Sequence, residues 1–366
     1  MKRLSIALFF SLALSSQAQI INTATMDTLE TTVIGHLAVS GYVDTYYGYY
    51  FDQPPSGTFN YFVTSNRHDE LNIELAYVDF RYRATNLRAR FVPGFGSYIN
   101  SNYVNEPSSL KNIIEANVGV RLSGKRNIWV DVGVFGSPYT NESYISKDHL
   151  MYTRSFAPEN VPYYLSGVKV SVPLSKKWAA YFYLLNGWQV IQSDNKRKAI
   201  GTQVEFRPND KMLFNWDTYV GDSRSAQSPN FRVRYFTDLY WISKISEKFD
   251  ATSCVYIGWQ ERAGASSSTW WQANFIGRYH FSELISLSGR IEYFSDPENV
   301  FHKTITGFNG FSSYSTGLCL NYKVNHNALL RLEGRQFFSA DPVYQDEKLN
   351  PQQSSSLIIG SLTAWF

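Results

Sequence analysis

Between His36 and Phe366 the chain repeats one unit: a short stretch alternating apolar with polar or small residues, closed by a polar turn. A period of two is the side-chain period of a β-strand. In residues 114 to 122, Ile114, Ala116, Val118, Val120 and Leu122 share one face, and Glu115, Asn117, Gly119 and Arg121 the other. Residues 128 to 135, 231 to 241, 273 to 281 and 328 to 335 repeat the pattern. Sixteen such segments begin near residues 36, 70, 86, 113, 127, 163, 177, 197, 211, 231, 249, 270, 284, 311, 327 and 354. Their connections alternate strictly in length. Long ones are expected at 52 to 69, 97 to 112, 136 to 162, 189 to 196, 221 to 230, 261 to 269, 295 to 310 and 339 to 353, with compact turns between.

A soluble sandwich has no reason to keep long loops at one end and short turns at the other, and a propeller would show a motif of fixed spacing. A transmembrane barrel does have a reason, because its two rims face different compartments. The expected fold is all-β: an antiparallel transmembrane barrel of 14 to 16 strands, with short periplasmic turns and long external loops. After residue 14 no apolar run approaches the roughly 18 to 20 residues of a membrane-spanning helix. Trp178, Trp188, Trp241, Trp259 and Trp271 lie near segment ends, as interfacial girdles require. Lys2, Arg3, the apolar run Leu4 to Leu14 and Ser16-Gln17-Ala18 have the order of an export signal with a small-x-small cleavage site. This divides the chain into a signal peptide (1–18), an N-terminal periplasmic segment (19–35) and a barrel (36–366).

Composition removes other classes. A net charge of +3 is too weak to nominate nucleic acid. Cys254 and Cys319 are too few for a disulfide scaffold and fall on non-adjacent strands, so two free thiols are expected. No two of the six histidines stand at metal-ligand spacing, so no metal or cofactor is expected. The best enzyme alternative pairs His280 with Ser286 and Ser288 on the next strand, but it lacks a visible third group to orient the base. No catalytic residue is assigned.

The chain closes on Leu362-Thr363-Ala364-Trp365-Phe366, which resembles the terminal strand of bacterial outer-membrane barrels. That likeness implies that Phe366 is a signal read by the barrel assembly machinery. Further segments resemble the OmpL-like β-barrel porin family: Gly41-Tyr42-Val43-Asp44, Glu74-Leu75-Ala76-Tyr77-Val78-Asp79 and Phe91-Val92-Pro93-Gly94-Phe95-Gly96. Glu115-Ala116-Asn117-Val118-Gly119-Val120 and Tyr152-Thr153-Arg154-Ser155 add to them. The matches concentrate in the first half of the barrel. The resemblance implies a porin-like protein of the outer membrane and names no substrate.

Strand parity then assigns the lumen. The cations Arg81, Arg83, Arg88, Arg90, Arg121, Lys169, Arg207, Arg232, Arg234, Arg278, Arg290, Arg331 and Arg335 outnumber the anions Asp79, Glu115, Asp131, Glu205, Asp217, Asp238, Glu292 and Glu333. Either these pair across strands, or they set a transverse field that mildly prefers anionic or polar solutes. The third long loop, with Glu142, Lys147, Asp148, His149 and Arg154, is expected to fold inward as a constriction, the alternative being an external lid. The row Tyr42, Tyr46, Tyr50 is expected to serve as a girdle or in strand closure, the alternative being a stacking track for sugars. The expected function is a passive or mildly selective channel for small hydrophilic solutes in outer-membrane lipid, with homo-oligomer formation open. The rivals are a non-conducting anchor or adhesin and, behind it, a barrel hydrolase.

Overall fold

The computed structural model describes residues 32–193 and 195–366. The signal peptide and residues 19–31 of the N-terminal segment lie outside the described residues. The strands are β1 (Thr32–Ile34), β2 (Leu37–Tyr50), β3 (Leu71–Arg83), β4 (Leu87–Phe95), β5 (Ile113–Ser123) and β6 (Ile128–Gly136). They continue as β7 (Tyr164–Pro173), β8 (Trp178–Leu185), β9 (Ala199–Asn209), β10 (Met212–Asp222), β11 (Phe231–Ser246), β12 (Phe249–Arg262) and β13 (Ala265–His280). The last are β14 (Ile285–Asp296), β15 (Phe311–Asn325), β16 (Ala328–Phe338), β17 (Tyr344–Gln345), β18 (Pro351–Gln352) and β19 (Ser354–Trp365).

β2 to β16 and β19 form a closed antiparallel barrel of sixteen strands, each paired with its neighbour in sequence, with β19 closing onto β2. Closure matters because an unpaired strand edge in lipid would leave N–H and C=O groups without partners. The seam is reinforced beyond the strands. Gly41 and Phe366 exchange both backbone hydrogen bonds, at 3.0 and 3.1 Å. The Phe366 ring covers the outer face of Gly41 so closely that a Cβ there would stand 2.2 Å from it. Outside the barrel proper, β1 folds back on β2 at the short-turn rim, and β17 and β18 form a small hairpin in the last long loop.

The outer wall is the apolar set expected from parity. Val132, Ile291, Leu318 and Leu332 point outward and are exposed, while Asp131, Arg290, Glu292 and Glu333 on the same or adjoining strands point inward and are buried. Three local expectations need correction. The connection expected at 261–269 is a tight turn at Ala263-Gly264, where Gly264 takes φ 70°, and both strands extend to meet it. The polar run Ser266-Ser267-Ser268 is therefore strand and not loop. Ile114 faces inward and is fully buried, because a bulge pairs Val92 with Glu115 but Pro93 with Ile113 and reverses the parity of the residue between. Tyr42, Tyr46 and Tyr50 also face inward, at 1 to 2% exposure, so they are no girdle and no open track.

Candidate functional site

The lumen is occupied. Residues 137–163, the third long loop, run into the barrel and carry the short helix α2 (Phe156–Glu159). Irregular backbone at membrane depth is tolerated only where its polar groups find partners. Here the wall supplies them. On β16, Glu333 accepts from Tyr152 N at 2.8 Å, from Thr153 N at 3.0 Å and from the Thr153 hydroxyl. On β14, Glu292 accepts from Phe156 N at 2.6 Å. The guanidinium groups take the carbonyls: Arg290 donates to Thr153 O (2.6 Å), Arg331 to Ser146 O (2.8 Å) and Met151 O (2.9 Å), and Arg335 to Arg154 O (2.9 Å). On β13, Arg278 donates to His149 O at 2.6 Å. Across the lumen, Asp238 accepts Thr140 N at 2.7 Å, and Asn141 donates to Thr252 and Asn274.

These wall charges also neutralise each other. Arg290 lies 3.0 Å from Glu292 and 3.2 Å from Glu333, and Arg335 lies 2.6 Å from Glu292. All four side chains are sealed from solvent, where an unpaired charge would cost several kcal/mol. Within the loop, Arg154 is buried and donates to the carbonyls of Ser143, Tyr144 and Tyr152, so it holds the loop's own fold and presents no charge to an open constriction. Glu142 accepts Ser155 N at 2.8 Å, and burial pushes its carboxyl above the usual range. His149 accepts Ser143 N on Nε2 at 2.8 Å. Burial, then the nearby Arg154 and Arg331, push it well below the usual imidazole range and keep it neutral. Lys147 pairs with Asp148 at 2.7 Å and lies over the Trp365 ring.

Toward the long-loop end the plug is aromatic. Phe59 from loop 51–70 stacks on Tyr50 and Phe337, Tyr61 on Phe311, and Phe62 meets Phe156. A second cluster packs α1 (Ser97–Asn102) and Tyr103 against Tyr144, Tyr163 and Tyr164. The inward tyrosine row of β2 is the seat of these loops: Tyr42 shares a 2.9 Å hydrogen bond with Ser146, and Tyr46 packs on Tyr152. Glu159 ties the two loops together, accepting Val63 N at 2.7 Å and the Thr64 hydroxyl. Burial raises its carboxyl to about 7.

Toward the short-turn end, on β3 to β9, the wall charges meet solvent. Arg90 bridges Asp79 (2.6 Å) and Glu115 (2.7 Å), Arg81 joins Asp79, Arg88 joins Asp131, and Arg207 stands 3.7 Å from Glu205. The four arginine side chains keep 15 to 28% of their surface, against none for Arg290 and Arg335. Arg83 is exposed, and Arg121 caps Thr85 O at that rim. Arg232 lies at the opposite rim, donating to Pro229 O and Phe231 O. Asp217 and Asp238 are direct partners across β10 and β11, both buried. Trp188, expected in a girdle, instead packs over the interior against Tyr219 and Phe236.

Sequence reasoning missed Asp44 and Glu74. Both are fully buried: Asp44 accepts the Thr363 hydroxyl, and Glu74 accepts Ser65 N and the Ser97 hydroxyl. Glu74 was hidden by a bulge between Asp44 and Thr45, which puts it out of phase with Leu75 on the same inner face. It missed Asp250 as well, whose carboxylate lies 2.7 Å from His280 Nε2 beside the partner residue Ser286.

The fold is similar to solved outer-membrane barrels. The anion-selective porin from Comamonas acidovorans matches with a TM-score of 0.58 and 9% identity, over 92% of this chain and 100% of that one. In-vitro folded OmpT, an outer membrane protein of Vibrio cholerae, matches with a TM-score of 0.56 and 11% identity, over 92% and 100%. No curated protein matches the sequence. A family model described as beta-barrel porin-2, OmpL-like, matches residues 36–366. With that match over a closed sixteen-stranded barrel, the chain belongs to the OmpL-like beta-barrel porin-2 family and is a porin of the bacterial outer membrane.

Proposed function

We propose that the protein passes small hydrophilic solutes by passive diffusion, through a path that loop 137–163 narrows and controls. The observation that carries this reading is the split of the lumen charges. Those on β14 and β16 are consumed in seating the loop, whereas Arg81, Arg88, Arg90 and Arg207 stay in contact with water and form a charged vestibule at the periplasmic end. Cations prevail there, which supports a mild preference for anions. The pore-lining set is therefore proposed as the β3 to β9 charges, with the loop as constriction. Purified protein in planar bilayers should give discrete conductance steps. The reversal potential in a salt gradient should favour the anion, and less so at 1 M salt, where the Debye length is about 3 Å. A silent bilayer would leave the anchor reading.

The hydrolase alternative fares worse on geometry. In a serine hydrolase triad the carboxylate binds Nδ1 and leaves Nε2 to the nucleophile, but here Asp250 lies against Nε2. A p-nitrophenyl ester assay that showed turnover lost in Ser286→Ala would reverse this. Oligomer formation is also proposed. A trimer form of Vibrio cholerae OmpT is known, and the outer wall carries two glycine pairs, Gly277 with Gly289 on β13 and β14 and Gly334 with Gly360 on β16 and β19, on either side of Leu318, which would allow close approach of a second wall. Phe366, by its place at the seam, is proposed as the assembly signal.

A further inference from the structure

Arg234 on β11 faces the interior near the external rim and is 5% exposed. Its guanidinium carbon lies 4.8 Å from the Phe301 ring centroid, 4.9 Å from Trp188 and 5.4 Å from Trp270. Three segments therefore build one aromatic box around a single cation: the loop after β8, strand β13, and the loop after β14. Rings around the guanidinium attract it electrostatically but accept no N–H in the plane. In that plane, Nε donates to Gln260 at 2.9 Å. The two terminal amino groups have no hydrogen-bond or ion-pair partner among the described residues. The rim carboxylates make their hydrogen bonds elsewhere, and only the charge of Asp296 reaches Arg234. Asp296 accepts the N–H groups of Val300, Phe301 and His302, and Asp222 is taken by Arg197 and Arg224.

Two buried groups at this place have no hydrogen-bond partner: the Trp270 indole N–H and the Tyr219 hydroxyl. Gly221 is the residue directly opposite Arg234 across β10 and β11. The Tyr219 hydroxyl lies over the inner face of Gly221, 2.6 Å from where a Cβ would stand, and so beside Arg234. Buried polar groups are nearly always paired; of the groups left over here the Trp270 N–H and the Arg234 amino groups can only donate, and the Tyr219 hydroxyl can donate as well. What the site lacks is an acceptor, and next to a guanidinium that acceptor is anionic.

We infer that this box binds the carboxylate of a small organic acid, the two oxygens taking the free edge of Arg234 side by side and the apolar body resting on the half-buried Trp188 and Phe301 rings. Planar, bidentate pairing is the geometry that guanidinium and carboxylate share. As a statement about the solute class the inference rests on the channel reading; as a binding site it does not.

The test uses refolded full-length barrel in detergent, with folding checked by heat-modifiable gel mobility. Cyclohexanecarboxylate is titrated by calorimetry, with cyclohexanecarboxamide as the neutral isostere and inorganic phosphate as the competing anion. Wild type should bind the carboxylate saturably, and the carboxamide at least about tenfold more weakly, since one charge-assisted hydrogen bond is worth that much. Arg234→Gln should weaken carboxylate binding by at least about tenfold. Arg234→Lys should fall between, because an ammonium cannot present two parallel N–H groups. Arg262→Gln, whose guanidinium is spent on Ser268 and Glu298 O, should bind as wild type. Equal binding by wild type and Arg234→Gln, no saturation at all, or phosphate binding as tight as the carboxylate would each overturn the inference. Carboxylate binding without conductance would sink the channel and keep the site; conductance without binding would do the reverse.

Discussion

Glu333 is the point at which the plug can be released with one substitution. Its Oε2 accepts Tyr152 N and Thr153 N, and its Oε1 accepts the Thr153 hydroxyl and Arg290 Nη2 at 3.2 Å. Every partner is a donor, so only an acceptor on both oxygens satisfies the site. Glu333→Gln keeps the shape but must turn its NH2 toward one pair of donors, whichever way the amide flips. Two hydrogen bonds to a charged acceptor are lost, each worth about 1.5 to 3 kcal/mol, or about 3 to 6 kcal/mol together. At about 1.4 kcal/mol per tenfold, the equilibrium between seated and unseated loop should move by roughly two to four powers of ten. Glu333→Ala should act in the same direction, with Arg290 still held by Glu292. Amide exchange read by mass spectrometry should show protection falling across residues 137–163 while the barrel strands keep theirs, and bilayer conductance should rise. Leu332→Ala, on the lipid face of the same strand, should change neither. If both Glu333 variants keep wild-type protection in the loop, the claim that the wall carboxylates hold the plug is wrong.

Gly41→Val should put a methyl-bearing carbon into the Phe366 ring, and together with Phe366→Asp it should cut the yield of heat-modifiable barrel in the membrane; normal yield of both would remove the seam argument. Glu159, raised to about 7 by burial, contributes stability that is fully present below its ordinary range and lost as pH rises through about 7. The contact between loops 51–70 and 137–163 should therefore loosen from pH 5 to 8 by amide exchange, and Glu159→Gln should flatten that dependence. Cysteines placed at Ser56, Ser266 or Asp346 should react with an impermeant maleimide on intact cells, and those at Gly124 or Asn209 should not. A cysteine at Asn141, now seated against Thr252 and Asn274, should join the unreactive set, and rapid labelling there would mean the loop lies outside.

The barrel was legible because its signal is redundant. Strand after strand repeats the two-residue period, and a slip in one is corrected by its neighbours, so the expected starts and the observed ones rarely differ by more than two residues. The errors fall where a single residue decides. The bulges at Ile114 and Glu74 reverse parity without any mark in composition, and Ser266-Ser267-Ser268 has the polarity of a loop but the pairing of a hairpin. The inside was less legible, since alternation tells which residues share a face and not what that face meets. Tyr42, Tyr46 and Tyr50 suit a lipid interface and a packed lumen equally well by composition, and only their contacts with Tyr77, Tyr152 and Phe59 decide.

One signal for the plug was present in the sequence nonetheless. Arg290-Ile291-Glu292 and Arg331-Leu332-Glu333-Gly334-Arg335 put cation and anion on the same face two residues apart, with lipid-facing residues between them. A wall that meets water can carry that order without a loop to bind, as Asp79 with Arg81 and Glu205 with Arg207 do. An irregular loop inside the barrel does need it, because its N–H and C=O groups must each meet a partner of opposite kind at a fixed depth. The carboxylates of this pattern take backbone N–H groups at Tyr152, Thr153 and Phe156, and the guanidiniums take carbonyls at Ser146, Met151, Thr153 and Arg154. The wet side of the lumen carries the same spacing in Asp79-Phe80-Arg81 on β3 and Glu205-Phe206-Arg207 on β9, but there cation and anion face each other and solvent, beside Arg88 and Arg90 in succession on β4. What separates the wall that binds the loop from the wall left to solute is thus what the charges meet: loop backbone on β14 and β16, and one another and water on β3 to β9.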